Sequence, residues 1–514
     1  MSAPASSGAA RPPRLLNPDP NRTLLVLAAG CLAYALAQTM IVPALPEIQR
    51  TFGGDPADAT WLLTAFLLTA AVATPLLGRL GDMYGKEHWL LISLGVFGAG
   101  SVVSALAGSL GVMIAGRAIQ GAGGAIFPLA IGIIRDEFPR EKVATGIGTI
   151  SAMFGIGGGV GLVVAGVLVD GIGVAWIFWL SAAAALIAAW ATWKYVPESP
   201  VRVEARIDWT GGVLMSGALG TLLLGVSEGN TWGWTSAGVL GLFAASVALT
   251  AIWAAWEWRV VDPLVDLRLM RRRPVWTTNV AAFAIGFAMF GSFVLIPQLV
   301  QTPARVGYGF GASVTASGLF LLPSALVMLF AGPVSGRLGT RFGSKLPLAL
   351  GAVFAAAGYF WLAALHDARI DIYLGSVLLG IGIGLAFAAM ANLTVEAVPM
   401  NMTGIASAIN AIMRQIGGAI GAQVSAAIVS AHLVLGGAYA AESGYTTAFA
   451  MSGVAAIGAL FVTFIIPARE APAPADAPPA VATAEAATAE APAAEARART
   501  RTATPRRSAG SRSS

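Results

Sequence analysis

The chain is 514 residues long, 56% hydrophobic and 11% charged, with a mean hydropathy of +0.75 and a formal net charge of +5. That leaves too little polar surface to cover a water-soluble core of this size, and the apolar runs, about 18 to 25 residues each, suit helices crossing a bilayer. The positive charge sits in loops and a tail, which argues against a nucleic-acid partner, and the single Cys31 excludes an intrachain disulfide and a thiolate metal site.

Apolar spans begin near Thr23, Thr60, Trp89, Gly111, Ala144, Val174, Trp209, Ser236, Val275, Gly311, Leu346, Ile372, Thr403 and Tyr445, fourteen in all. The first follows Arg11, Arg14 and Arg22 but is too long for a signal peptide and reads as a retained helix. Alternate loops divide Lys and Arg nineteen to three: Arg79, Lys86, Arg135, Arg140, Lys142, Arg271, Arg337 and Arg341 fall on the rich side, and Arg50, Arg305 and Arg369 on the poor one. Basic residues stay in the cytoplasm, so both termini are expected there, in a multi-pass protein of the cell membrane.

The expected architecture is all-α and integral to the membrane: two pseudo-symmetric six-helix bundles with an inserted two-helix hairpin. The divisions are a cytoplasmic N-terminal segment at 1–22, a first bundle at 23–194, and linkers with the hairpin at 195–274, the hairpin itself spanning 209–258. A second bundle follows at 275–467, and the Ala/Pro/Glu-rich stretch 468–514 reads as a disordered cytoplasmic tail. GRLGDMYGK at Gly78–Lys86 returns 258 residues later as GRLGTRFGS at Gly336–Ser344, which points to two related halves.

Four motifs carry candidate mechanism. Gly78, Gly81 and Gly85 permit tight turns and close helix approach, while Arg79, Asp82 and Lys86 supply charges that can re-pair, together a conformational latch. A bare topology-fixing loop is the alternative. In MIAGRAIQGAGGA, Arg117 lies inside an apolar run with Gln120 and Gly121 at i+3 and i+4, where an unpartnered guanidinium costs about 2.5–3.5 kcal/mol. It is expected to face the interior with a partner, snorkelling being the alternative. Gly155 and Gly159 form a small-xxx-small pair, and INAIMRQIGGAIGAQ places Arg414 and Gln415 beside Gly417, Gly418 and Gly421 in a second such helix, a pathway element or a structural interhelix bond.

These motifs resemble the major facilitator superfamily, and in particular its fourteen-helix drug:proton antiporter family. The loop signature G-x-L-x-D-x-x-G-R/K falls on Gly78, Leu80, Asp82, Gly85 and Lys86, and R-x-x-Q-G falls on Arg117, Gln120 and Gly121. The central hairpin with its SEGNTWGW exit and the RQIGGAIG segment are similar to the fourteen-helix members. The resemblance implies export of drugs, antibiotics or the cell's own metabolites by alternating access, coupled to proton influx. Two departures stand out. The L-D-x-T aspartate of the first helix is replaced within Leu36, Ala37, Gln38 and Thr39, and G-P-x-x-G-G appears as Gly161, Leu162, Val163, Val164, Ala165 and Gly166.

No acid lies mid-span: Asp82, Asp136, Glu257 and Glu396 fall at basic ends, and Asp170 and Glu228 at opposite ends. Arginine does not titrate, so the candidate proton carriers are Asp82, Asp170 and Glu228. Two buried arginines without a mid-membrane acid favour a neutral or anionic amphipathic substrate over a cationic one. Candidate cavity residues are Tyr34, Gln38, Gln120, Phe127, Phe154, Phe290, Gln298 and Asn410. His88, His366 and His432 lie near loops and read as surface residues, so no metal and no cofactor is expected. The expected partners are a small-molecule substrate, protons and membrane lipid, with the chain acting as a monomer. A facilitator without proton coupling and a non-transporting membrane sensor or scaffold of the same fold remain alternatives. The spans hold no metal, Ser/His or paired-carboxylate set for an enzyme.

Overall fold

The computed structural model describes residues 19–53, 56–199, 206–398, 403–434 and 439–467. The tail at 468–514, the N-terminal segment before Asp19 and the linker stretch 200–205 lie outside the described residues, as does the side chain of Phe154.

In chain order the N-terminal bundle comprises α1 (Pro20–Phe52), α2 (Pro56–Tyr84), α3 (Lys86–Ala105), α4 (Leu110–Gly121), α5 (Ile126–Glu137), α6 (Arg140–Ile172) and α7 (Ala175–Tyr195). The hairpin is α8 (Trp209–Trp232) and α9 (Ala237–Glu257), followed by the short α10 (Leu267–Met270) in the linker. The C-terminal bundle is α11 (Arg273–Gln301), α12 (Val314–Phe342), α13 (Lys345–Ala364), α14 (Arg369–Glu396), α15 (Thr403–Ser430) and α16 (Glu442–Ile465). A two-residue ladder, β1 (Leu433–Val434) against β2 (Tyr439–Ala440), links α15 to α16.

Thirteen spans among the described residues are long and apolar enough to cross a membrane, α4 and α5 counting as one. The fourteenth is α6, whose apolar stretch is Ile156–Ile172. A 3-10 turn at Ala122–Ala125 separates α4 from α5, and α2 packs closely there, with Ala70 and Thr74 against Gly124.

Lipid offers no hydrophobic drive to bring helices together, so close packing of small residues does that work. Gly417 and Gly421 of α15 lie on the Phe283 and Phe287 carbonyls of α11, where a Cβ would overlap. The bundles meet through α6 on α12, α2 on α15 and α1 on α11. Helix α8 lies against both α2 and α15, whereas α9 packs chiefly on α8 and presents most of its surface outward. The hairpin therefore flanks the junction without entering it. Below, the end holding Arg79, Lys86 and Arg337 is called the basic face, and the other end the opposite face.

Candidate functional site

Between the bundles lies a small cavity of about 20 Å³, lined by Gln38 and Thr39 of α1, Gly158 of α6, Met289, Phe290 and Phe293 of α11, and Met328 of α12. The lining is apolar and soft, since methionine adapts to irregular shapes. Gln38 is buried beside it, its Oε1 making no hydrogen bond and no polar surface opening to the cavity. One buried acceptor without a donor costs about 1–3 kcal/mol. Gln38 and Phe290 stood among the expected cavity residues. Thr39, Gly158, Met289, Phe293 and Met328 did not, although Met289 and Phe293 share an i, i+4 face that the sequence displays.

The other expected lining residues take different places. Tyr34 sits inside the N-terminal bundle among Phe66, Phe97 and Phe127, with ring centroids 5.3, 5.7 and 6.2 Å away. Its hydroxyl makes no hydrogen bond. Asn410 bonds Asn279 Oδ1 at 3.1 Å and so ties α15 to α11 within one bundle. Gln298 is buried near the opposite end of α11, its Oε1 unbonded. Glu228, near the end of α8, is half-buried and partnered.

Arg117 is fully buried and faces the bundle interior. Its Nε donates to the Leu62 carbonyl at 2.9 Å, and Nη1 donates to the Ala37 carbonyl at 3.2 Å and to Gln120 Oε1 at 2.7 Å. Phe66 lies under the guanidinium at 4.3 Å, and Gln120 passes the network on to Ser101 Oγ at 2.6 Å. The partners are thus carbonyls and an amide rather than a carboxylate, and they join α1, α2, α3 and α4. Gly121 completes the motif because any Cβ there would overlap the Phe66 carbonyl. In the other half, Arg414 is half-buried over Phe387 at 4.5 Å, and the Gln415 Oε1 makes no hydrogen bond.

At the basic face, Gly85 adopts φ +120°, which only glycine takes easily, and Lys86 starts α3 from there. Lys86 is 2% exposed and bridges Asp136 Oδ2 at 2.7 Å and Asp82 Oδ1 at 3.0 Å. Asp136 also accepts from Ser199 Oγ at 2.8 Å. Arg79 leaves this cluster: it holds the Asp262 and Pro263 carbonyls at 3.0 and 2.9 Å and Asp262 Oδ1 at 3.0 Å, clamping the linker after α9. Gly81 packs against Leu129, while Gly78 has open space around it. Asp136, Ser199 and Asp262 were missing from the expected latch because they arrive from distant segments.

At the opposite face the bundles are fastened together. Asp170, near the end of α6, accepts from the Val314 and Thr315 amides at 3.2 and 2.8 Å, so it caps the N-terminus of α12 across the interface. Gln301 at the end of α11 donates to the Pro43 carbonyl of α1 at 2.9 Å, and Thr64 donates to Gln423 at 3.1 Å. These bonds hold the two bundles together on this side of the cavity. At about 20 Å³ the cavity is far smaller than the roughly 300–1,000 Å³ that drug-sized ligands occupy, so it has to widen to admit one.

The sequence profile of the Major Facilitator Superfamily matches residues 27–422. The chain is also 30% identical over 432 residues, covering 83% of itself and 79% of the relative, to the tetracenomycin C resistance and export protein of Streptomyces glaucescens. The chain belongs to the Major Facilitator Superfamily. Another member, the multidrug resistance protein Stp of Mycobacterium tuberculosis, is 30% identical over 80% of this chain and 76% of its own length. Among solved superfamily folds, a POT family transporter in complex with 5-aminolevulinic acid has a TM-score of 0.62 at 15% identity, covering 87% of this chain and 95% of its own. The human organic anion transporter MFSD10 has a TM-score of 0.60 at 14% identity, covering 87% and 100%.

Proposed function

We propose that this protein exports hydrophobic or amphipathic small molecules, a drug, an antibiotic or the cell's own metabolite, by alternating access driven by proton influx. The basic face is then cytoplasmic, with both termini on that side, and the protein works as a monomer in the cell membrane. The observation that carries the reading is the apolar, Met- and Phe-lined space between the bundles. Membership of the superfamily supports it, as do the relatives named for tetracenomycin C export and multidrug resistance. With no acid in that lining, a neutral or anionic substrate fits better than a cation.

Asp170 is the proposed point of proton action. While ionised it caps α12 and keeps the outer side shut, and the two amide bonds favour that charged form; it takes up a proton once the α6–α12 contact opens and frees it from the cap. Asp82 and Glu228 are the other candidate carriers. One charge moving through 100 mV supplies about 2.3 kcal/mol, roughly a fifty-fold gradient. One observation favours a facilitator without coupling instead: no carboxylate lines the space.

Efflux from vesicles, assayed with neutral, anionic and cationic amphiphiles under an imposed proton gradient, decides between them. An exporter of the proposed kind moves neutral or anionic compounds faster with the gradient, and Asp170→Asn uncouples flux from it. Flux indifferent to the gradient in the unaltered protein would leave transport standing and remove the coupling. No flux of any compound would favour a sensor.

A further inference from the structure

The transport reading leaves unused a group of side chains at the opposite face of the C-terminal bundle. We propose that His366, Asp367 and Glu442 form a binding site for a divalent transition-metal ion of the zinc class. His366, expected at the surface, is buried instead, only 4% exposed, because the turn after α13 folds it down beside α16.

Its Nδ1 lies 2.9 Å from the Leu362 carbonyl, and its Nε2 lies 3.1 Å from Glu442 Oε1. A carbonyl can only accept, so Nδ1 carries the ring proton. In the neutral ring, Nε2 then aims a lone pair at a carboxylate oxygen, and two acceptors at that distance require a positive centre. A second ring proton would answer Glu442 alone. Asp367 adds another carboxylate, with one donor atom from each of the three residues lying within 4.8 Å of the others. Two carboxylates and a neutral imidazole sum to two negative charges, which a dication balances and a single proton only halves.

The geometry suits such an ion. Bonds of about 2.0–2.2 Å in a tetrahedral site put neighbouring donors roughly 3.3–3.6 Å apart, close to the 3.1 Å His366–Glu442 separation. The Glu442 side chain is 50% exposed and Asp367 is exposed, so both carboxylates can adjust and leave a position for water. The bond from the far ring nitrogen to a backbone carbonyl is what orients a metal-bound histidine. Asp367 is not committed to capping α14, since Asp371 Oδ2 takes the Ala368 amide at 3.0 Å. A nitrogen ligand selects zinc, nickel or copper over magnesium or calcium. Bound metal would staple the α13–α14 turn to the start of α16, beside Tyr445, which packs on Tyr308 at 5.8 Å.

The test uses the full-length protein, purified and stripped of metal, titrated with zinc chloride in a calorimeter near neutral pH, with thermal unfolding followed with and without zinc. One saturable site per chain is expected, with a higher unfolding midpoint in zinc and no displacement by excess magnesium or calcium. His366→Ala and Glu442→Gln each weaken binding at least about tenfold and remove the thermal shift, whereas His88→Ala combined with His432→Ala changes neither. Glu442→Gln alters an exposed position and keeps the test valid if His366→Ala misfolds. Binding is read without transport, so its outcome stands apart from the exporter reading. Absence of saturable binding, or equal binding by both variants and the unaltered protein, would overturn the proposal and leave a plain imidazolium–carboxylate pair.

Discussion

The two GRLG loops share a backbone and differ in charge. Each ends at a glycine of positive φ, Gly85 at +120° and Gly343 at +86°, and each is followed by a helix with lysine in its first turn. In the N-terminal copy, buried Lys86 holds Asp82 and Asp136. In the C-terminal copy Ser344 occupies that position, its hydroxyl donating to Glu396 Oε1 at 2.8 Å, while Lys345 turns to the Ile466 carbonyl. Arg79 clamps the linker, whereas Arg337 and Arg341 are exposed. Both copies keep the turn and a distal acid; among the described residues, the buried ion network lies in the N-terminal copy. Turn geometry is what the two bundles share, and the charge network is what sets them apart.

The largest expected effect tests that asymmetry directly. Lys86→Met leaves Asp136, whose side chain is 6% exposed, buried without its main cation and should cost about 3–5 kcal/mol in unfolding followed in mixed micelles. Ser344→Ala should cost only about 0.5–1.5 kcal/mol, the value of one neutral-donor bond to the exposed Glu396. Similar losses in the two variants would mean that the halves bear load equally.

The arginines extend the comparison at smaller magnitude. Arg117→Ala deprives the Leu62 and Ala37 carbonyls and Gln120 of one donor, and should lower stability by roughly 2–4 kcal/mol and reduce flux to background. Arg414→Ala loses the contact over Phe387, about 0.5–2 kcal/mol, and should retain measurable flux. Unfolding midpoints and vesicle efflux on the same preparations check both; an Arg414→Ala variant as damaged as Arg117→Ala would remove the distinction.

Much of this was legible in the sequence, and the reason differs from element to element. Span length and loop charge pointed to fourteen crossings, thirteen of which are long and apolar enough among the described residues, because the bilayer imposes both on the chain locally. The interior orientation of Arg117 followed from insertion energetics alone. Its partners did not: the Leu62 and Ala37 carbonyls are backbone groups, and every residue has one. Asp136, Asp262 and Ser199 escaped for a related reason, as they join Lys86 and Arg79 only after α5 and the linkers fold back. His366 was misread because proximity to a loop says nothing about which helix that loop covers. Asp170 was chosen as an acid at an outer helix end, but that it caps α12 of the other bundle depends on how two halves dock.

The smallest expected change in stability is the most informative about motion. The Asp82 side chain is 46% exposed and is the outer of two carboxylates on Lys86; with Asp136 retained at 2.7 Å, the static network survives its loss. Asp82→Asn should therefore change stability by less than about 1 kcal/mol. If the loop only fixes topology, flux is unaffected as well. If Asp82 is the group that re-pairs when the bundles rock, flux falls although the fold is intact, and Thr340→Asp in the other loop neither rescues nor harms it. Unchanged flux in Asp82→Asn would move the latch from the Lys86 cluster to the Arg79–Asp262 clamp, where the same comparison can be repeated with Asp262→Asn.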